Sequence, residues 1–91
     1  MELSGKDKRE LRSRGQRLKP SLTVGQAGIT PGVVEQVQKL LADMELVKIK
    51  LPPDPPAERK AEAERLAEQT GAALAGNVGR TALLYRPAEE E

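Results

Sequence analysis

The stretch KPSLTVGQAGITP, residues 19–31, decides the fold because a strand, a glycine turn and a helix start follow one another within it. Residues 21–24 alternate polar and apolar side chains, as a short strand does. Gly25 and Gly28 then allow the backbone to turn sharply and to come close to another molecule. Thr30 is a favourable N-cap residue, and the proline after it suits the first position of a helix. The stretch therefore predicts a strand that turns directly into a helix.

The glycine turn also has the features of an anion-binding site. The first N–H groups of a helix lack partners within that helix, and the helix dipole adds positive charge at the same end. A phosphate there would meet the backbone of Gly25, Gln26, Ala27 and Gly28, with Lys19 beside it. The same glycines would also serve a tight strand-to-helix turn without a ligand, so both interpretations stay open at this point.

The composition bounds the class of protein. With 91 residues, the chain is long enough for one small domain. It contains one aromatic residue, Tyr85, and neither Cys nor His, which removes disulfides, thiol chemistry, the usual zinc ligand sets and histidine catalysis. The acids clustered in residues 58–68 have the spacing of an exposed, charged helix face. We therefore expect no enzyme activity, no catalytic residues, no metal, no cofactor and no small-molecule substrate.

Two further expectations concern localisation and domain boundaries. Residues 1–6 lack the apolar segment of a secretory signal, and no apolar run in the sequence is long enough to cross a membrane. We therefore expect a cytoplasmic protein with no membrane partner. Residues 1–87 form the expected single domain, and the acidic residues 88–91 are expected to be a disordered tail.

Charge is divided unevenly along the chain. Residues 1–50 hold ten Lys and Arg against six Asp and Glu, whereas residues 51–91 hold five against eight. Seven of the basic side chains lie in the first twenty residues, directly before the glycine turn. This asymmetry favours contact with nucleic acid, although a solvated basic helix face would produce the same pattern.

A capping box opens the first predicted helix. Ser4 and Asp7 have the spacing in which each side chain bonds the backbone of the other residue, and the helix is expected to run to about Gln16. Arg9 and Arg12 are three positions apart and so share one side of this helix. The helix has few apolar residues, which leaves its basic sides free for water or for phosphates.

The middle of the chain changes from helical to strand periodicity. Apolar residues recur with helical spacing over residues 33–44, which predicts a second helix with a wide apolar face. Residues 45–51 alternate with period two, which places Lys48 and Lys50 on one face of a second strand. These two lysines have an ordinary alternative role on the solvated face of a strand or in protecting a sheet edge.

The C-terminal half adds a helix and a hairpin. A run of prolines ends the second strand, and residues 57–70 then have the composition and spacing of a helix. Residues 73–78 and 81–86 are predicted strands joined at Gly79-Arg80, with a turn at Gly76-Asn77 as the competing choice. The order α-β-α-β-α-β-β predicts an α/β fold, a compact two-layer sandwich with a four-stranded mixed sheet.

Three blocks of this sequence resemble one known family. LKPSLTVGQAGIT at 18–30, ELVKIKL at 45–51 and GRTALLYRP at 79–87 resemble, in the same order and spacing, the YhbY family, the stand-alone bacterial form of the CRM RNA-binding domain. The likeness extends from about Leu3 to Pro87. Any one block would be weak evidence, whereas three in register make the resemblance specific.

The resemblance implies a fold similar to the C-terminal domain of bacterial translation initiation factor three. It also implies RNA binding and a role beside ribosomal RNA in large-subunit precursors, in ribosome assembly; we expect a monomer. The family's Gly-x-x-Gly loop, which is compared with that of KH domains, corresponds to Gly25–Gly28. Its middle positions are commonly basic in KH domains, whereas Gln26 and Ala27 carry no charge here, so backbone N–H groups, the Gln26 amide and flanking Lys19 would supply the contacts.

The candidate RNA-binding residues comprise this loop, the helix cap and nearby basic side chains. They are Lys19, Gly25, Gln26, Ala27, Gly28, Thr30, Arg9, Arg12, Lys48, Lys50, Arg80 and Arg86. A second Gly-x-x-Gly string at 76–79 is interpreted as turn geometry, because it opens no helix. Tyr85 alone provides no stacking platform, which favours recognition by backbone and shape. The alternative function is a protein-interaction module that docks a basic partner through the Glu-rich C-terminal half.

Overall fold

A computed structural model describes residues 3–87, which form three helices and four strands. The elements are α1 (Gly5–Gly15), β1 (Leu22–Thr23), α2 (Pro31–Met44), β2 (Leu46–Lys50), α3 (Pro56–Thr70), β3 (Ala73–Val78) and β4 (Thr81–Tyr85). The α/β class and the predicted element order are confirmed. The tail predicted at 88–91 lies outside the described residues.

The helix ends follow the capping signals of the sequence. At α1, Ser4 Oγ accepts from the Asp7 amide at 3.0 Å and the Asp7 carboxylate accepts from the Ser4 amide at 3.2 Å, so the predicted capping box is confirmed. At α2, Thr30 Oγ1 accepts from the Val33 amide at 3.2 Å. α3 ends at Gly71, whose left-handed φ of 69° suits glycine. Within residues 3–87, no helix combines the length and the apolar character that crossing a bilayer requires.

The strands form one mixed sheet in the order β1-β2-β4-β3. β1 is parallel to β2, and the other pairs are antiparallel. The amides of Ser21 and Val24 each bond a carbonyl of β2 at 2.8 Å, so pairing extends over the whole stretch predicted as the first strand. The hairpin turns at Gly79, as predicted. The competing turn at Gly76-Asn77 is wrong, because both residues pair with β4.

Apolar side chains pack on both faces of the sheet. The main core lies between the sheet and the pair α2 and α3, and it includes Leu41, Ile49 and Leu66. A smaller cluster lies under α1 on the opposite face and consists of Leu11, Leu46, Ala75 and Leu83. The fold therefore has three layers where the sequence analysis expected two. The physical reason is that Leu46 and Leu83 make the second face apolar as well, and α1 covers it.

Alternation along β2 decides which groups face α1. Val47 and Ile49 belong to the main core, whereas Leu46 belongs to the cluster under α1. Lys48 and Lys50 share the face of Leu46, as the period-two pattern predicted. The sheet face beneath α1 therefore carries two lysines as well as apolar side chains.

α1 approaches this face closely because its last residue is a glycine. A Cβ atom at Gly15 would lie 2.7 Å from Leu83 Cδ2, which is closer than real Cβ contacts. Gly15 therefore lets the C-terminal end of α1 rest on β4, which brings the carbonyls of that helix end within reach of Lys48.

Candidate functional site

The Gly-x-x-Gly turn is exposed and stands clear of the rest of the molecule. Gly25, Gln26 and Ala27 are exposed, and the Gly28 amide closes the turn on the Gly25 carbonyl at 3.0 Å. Gly28 has a φ of 76°, which redirects the chain into α2. No atom would lie within 4 Å of a Cβ added at Gly25 or at Gly28. Another molecule can therefore approach the turn without displacing protein atoms.

Several backbone amides at this turn are open. The Val33 amide is satisfied by Thr30 Oγ1, so Thr30 serves as the N-cap of α2. The amides of Gln26, Ala27 and Gly32 have no acceptor among residues 3–87. Gly32 lies in the first turn of α2, at the positive end of the helix dipole, and Gln26 and Ala27 lie in the turn that leads into it; this combination favours an anion.

Four predicted site cations have free charged groups. Arg9 and Arg12 on α1, and Lys19 before β1, are exposed, and Lys50 on β2 is half-buried. None of their charged groups has an ion-pair or hydrogen-bond partner in the part of the chain that the structure describes. Lys50 is also close to the turn, since its carbonyl accepts from the Val24 amide at 2.8 Å, one residue before the first glycine.

Two other predicted cations are near the turn but already bonded. Lys48 Nζ donates to the carbonyls of Gly15 and Leu18 at 3.4 and 3.3 Å, where a cation complements the C-terminal end of α1. Arg80 Nε donates to the Leu51 carbonyl at 3.1 Å and so ties the hairpin turn to the end of β2. Both side chains add positive charge to this end of the sheet, and both also hold the fold together.

Arg86 lies at the other end of the sheet, away from the turn. Its Nη1 donates to the Thr70 carbonyl at 2.7 Å and its Nη2 to the Gln38 carbonyl at 3.3 Å. The Arg86 amide donates to the Glu45 carbonyl, which lies just before β2 begins. The Gly25–Gly28 turn follows Val24, whose amide bonds the Lys50 carbonyl at the other end of β2. The structure therefore does not bring Arg86 together with the other candidates. Its guanidinium joins α2 to the end of α3.

The second Gly-x-x-Gly string is partly a turn and partly a packing site. Gly79 has a φ of 58° and forms the hairpin turn, as interpreted from the sequence. Gly76 instead lies inside β3, and a Cβ atom there would be 2.8 Å from Arg12 Cγ. The turn interpretation is therefore incomplete, since Gly76 provides room for the Arg12 stem. A glycine inside a predicted strand was the sequence signal for this close approach.

Sequence reasoning missed a cleft between α1 and the sheet. The cleft has a volume of about 520 Å³, and Arg9, Arg12 and Lys48 contribute to its lining. Its other walls come from β3 and β4, including Val78 and Leu83. No sequence pattern indicated it, because the walls belong to four separate elements that only the fold brings together.

The acidic residues of the Glu-rich segment lie on α3, and Asp54 lies just before it. Glu58, Glu64 and Glu68 are exposed, as their spacing predicted. Glu62 is half-buried, and its pKa is raised first by burial, then by its hydrogen bond with Asp54 and by the neighbouring negative charges. No group of three or more residues of metal-binding type was found among residues 3–87.

Known proteins similar to this chain point to one domain family. The family model CRS1 / YhbY (CRM) domain matches residues 3–86. A Pseudomonas aeruginosa protein named "Probable RNA-binding protein PA4753" is 36% identical over 86 residues, which cover 94% of this chain and 83% of that protein. A Haemophilus influenzae protein named "RNA-binding protein" is 31% identical over 88 residues, which cover 97% of this chain and 89% of that protein. The solution structure of the hypothetical protein SAV1595 from Staphylococcus aureus matches with a TM-score of 0.88 at 31% identity, covering 98% of this chain and 93% of that one.

Proposed function

This chain belongs to the CRS1 / YhbY (CRM) domain family, and we propose that it binds RNA through the Gly25–Gly28 turn and the free cations beside it. Two similar proteins, from Pseudomonas aeruginosa and Haemophilus influenzae, carry RNA-binding protein in their names. Their similarity extends over most of this chain. The relatives support the ligand class, and the geometry of the turn supports the location.

The exposed turn at the start of α2 is the observation that carries this proposal. Its middle positions, Gln26 and Ala27, have no charge, so a phosphate is held by open backbone amides and by the dipole of α2. The Gln26 side chain is exposed and adds a further donor. A backbone site of this kind recognises phosphate geometry and gives little base selectivity.

The free cations extend the site from the turn towards α1. Lys19 and Lys50 are the nearest along the chain, and Arg9 and Arg12 add charge from α1. Lys48 and Arg80 contribute to the same positive field while keeping their bonds to backbone carbonyls. Arg86 is left out of the proposed surface because its charged group is bonded at the other end of the sheet.

We propose structured ribosomal RNA in large-subunit precursors as the target, with a role in ribosome assembly, as the family resemblance implies. Tyr85 supports recognition of structured RNA, since it is the one aromatic residue of the sequence and packs half-buried against the cluster under α1. Readout of phosphates and helix shape fits this surface better than readout of an extended single strand.

A matched pair of substitutions, each of which replaces an alanine by glutamate, tests the location of the RNA site. Ala27→Glu places a carboxylate on the turn, and Ala61→Glu places the same group on an exposed position of α3. We expect Ala27→Glu to weaken binding of a labelled rRNA hairpin by about fivefold or more, since one charged contact changes binding by about 1 kcal/mol. Ala61→Glu should leave affinity within about twofold.

The salt dependence of the same titration tests the mode of binding. For the unmodified protein, log affinity should fall with log salt by about 0.7 to 0.9 per phosphate neutralised. Affinity that does not change with salt, or equal effects of the two glutamates, would contradict the proposed site. Cross-linking in cells followed by sequencing of the attached RNA would test the ribosomal target. A partner captured equally well after nuclease treatment would favour the alternative protein-interaction function.

A further inference from the structure

We propose that the cleft between α1 and the sheet holds one unpaired nucleotide of the bound RNA, an inference that rests on the proposed RNA binding. The cleft volume of about 520 Å³ lies within the range of about 300–1,000 Å³ that is usual for small-ligand sites. The cleft opens on the same sheet face as Lys48 and Lys50.

The lining combines an apolar surface with unpaired positive charge. Leu83 is 7% exposed and Val78 is 70% exposed, so the sheet side runs from a buried floor to an open apolar rim. Arg9 and Arg12 form part of the helix side, and neither has an ion-pair partner in residues 3–87. A ligand that satisfies both sides has a flat apolar part and an anionic part, which describes a nucleotide with its base and phosphate.

The stem of Arg12 lies over this surface. Its stem crosses β3 at Gly76, where a Cβ atom would lie 2.8 Å from Cγ and 3.0 Å from Cδ. A planar guanidinium can stack on a base or bond a phosphate, and Ser13 on the same helix adds a hydroxyl for a base edge.

Strand β2 connects the cleft to the residue before the turn. Lys48 lines the cleft, and Lys50 lies about 7 Å further along β2 on the same face. The Lys50 carbonyl in turn bonds Val24, which directly precedes the turn. One RNA backbone can therefore contact the turn and deliver a neighbouring unpaired nucleotide to the cleft.

The test compares two RNA hairpins that differ only by one bulged nucleotide. The unmodified protein should bind the bulged hairpin at least about fivefold more tightly, in line with the contribution of one stacked base. Ser13→Phe fills the cleft without a change in charge, and it should remove this preference while keeping affinity for the paired hairpin within about twofold. Ala61→Phe, at an exposed position of α3, should leave both affinities unchanged.

A measurement on the unmodified protein decides the case even if Ser13→Phe does not fold. Addition of the bulged hairpin should shift the amide NMR signals of Gly76, Val78 and Thr81 more than addition of the paired hairpin does. Equal affinity for the two hairpins, a preference that survives in folded Ser13→Phe, or cleft signals that respond equally would each overturn the proposal. Salt-dependent binding that remains sensitive to Ala27→Glu would still support RNA binding at the turn, so the two failures are distinguishable.

Discussion

The two Gly-x-x-Gly strings of this protein have the same spacing and opposite surroundings. Gly25–Gly28 is an exposed turn at the start of α2, with open amides and no atom within 4 Å of an added Cβ at either glycine. In the second string, Gly76 is paired in β3 and covered by the Arg12 stem, and Gly79 forms a hairpin turn. The difference shows that the same spacing of glycines leaves backbone N–H groups open in one place and pairs them in a sheet in the other.

Two arginines differ in the same way: Arg12 covers the second string with a free guanidinium, whereas the guanidinium of Arg86 is bonded to two carbonyls. Arg86→Gln should lower the free energy of unfolding by about 1.5–3 kcal/mol, because charge-assisted bonds to Thr70 and Gln38 are lost. It should leave RNA affinity within about twofold. Arg12→Gln should instead lower RNA affinity severalfold and reduce the slope of log affinity against log salt, with less effect on the free energy of unfolding. Chemical denaturation measures the change in stability, and salt-dependent titration measures the change in RNA affinity. Equal changes in both quantities for the two variants would contradict the assignment of Arg86 to the fold and of Arg12 to the RNA surface.

The close packing of α1 keeps the second string covered, and Gly15 allows that packing. Gly15→Val should lower the free energy of unfolding by about 1–3 kcal/mol, because its side chain would overlap Leu83, which is 7% exposed. Gly5→Val is the control at the other end of α1, where no atom lies within 4 Å of an added Cβ. We expect a change below about 0.5 kcal/mol for the control. Equal urea midpoints for the two variants would show that α1 is less tightly packed than the structure indicates.

Within the first string, the two glycines serve different purposes. Gly28 has a φ of 76°, so Gly28→Ala should lower the free energy of unfolding by about 1–2 kcal/mol. Gly25→Ala should change it by less than about 0.5 kcal/mol, since the position is exposed and open. Thermal or urea unfolding of the two variants separates these effects. A large loss of stability in Gly25→Ala and none in Gly28→Ala would contradict this difference between the two glycines.

Glu62 lies on the opposite side of the sheet from both the α1 cleft and Arg12. It therefore serves as a reference position for stability outside the proposed RNA surface. Burial and the contact with Asp54 raise the pKa of Glu62 in the folded state. The folded protein therefore binds this proton more tightly than the unfolded chain, and stability rises as pH falls from neutral through the raised pKa towards 4.5. Glu62→Gln should remove this pH dependence and raise stability at pH 7 by less than about 1 kcal/mol. Denaturation midpoints across pH 4–7 measure it, and a larger pH dependence in the variant would contradict the sign.

Local chemistry made the elements predictable. The Ser4 capping box, the Thr30 cap and the Gly79 turn all act through residues a few positions away, and each was confirmed. Strand alternation also predicted that Lys48 and Lys50 share one face of the sheet. The three-layer arrangement was not predictable from the same patterns, because no pattern in the sequence of α1 indicates which face of the sheet this helix covers.

The sequence by itself determined the helices, the strands and the glycine turn that leads into α2. Only the tertiary structure decided which cations are free and which are bonded, and where the cleft lies. Arg86 and the Gln38 carbonyl are 48 positions apart, and Lys48 and the Leu18 carbonyl are 30 apart. A charged side chain exchanges water for such distant carbonyls only when packing of the whole domain brings them together, and neighbouring residues in the chain carry no information about that pairing.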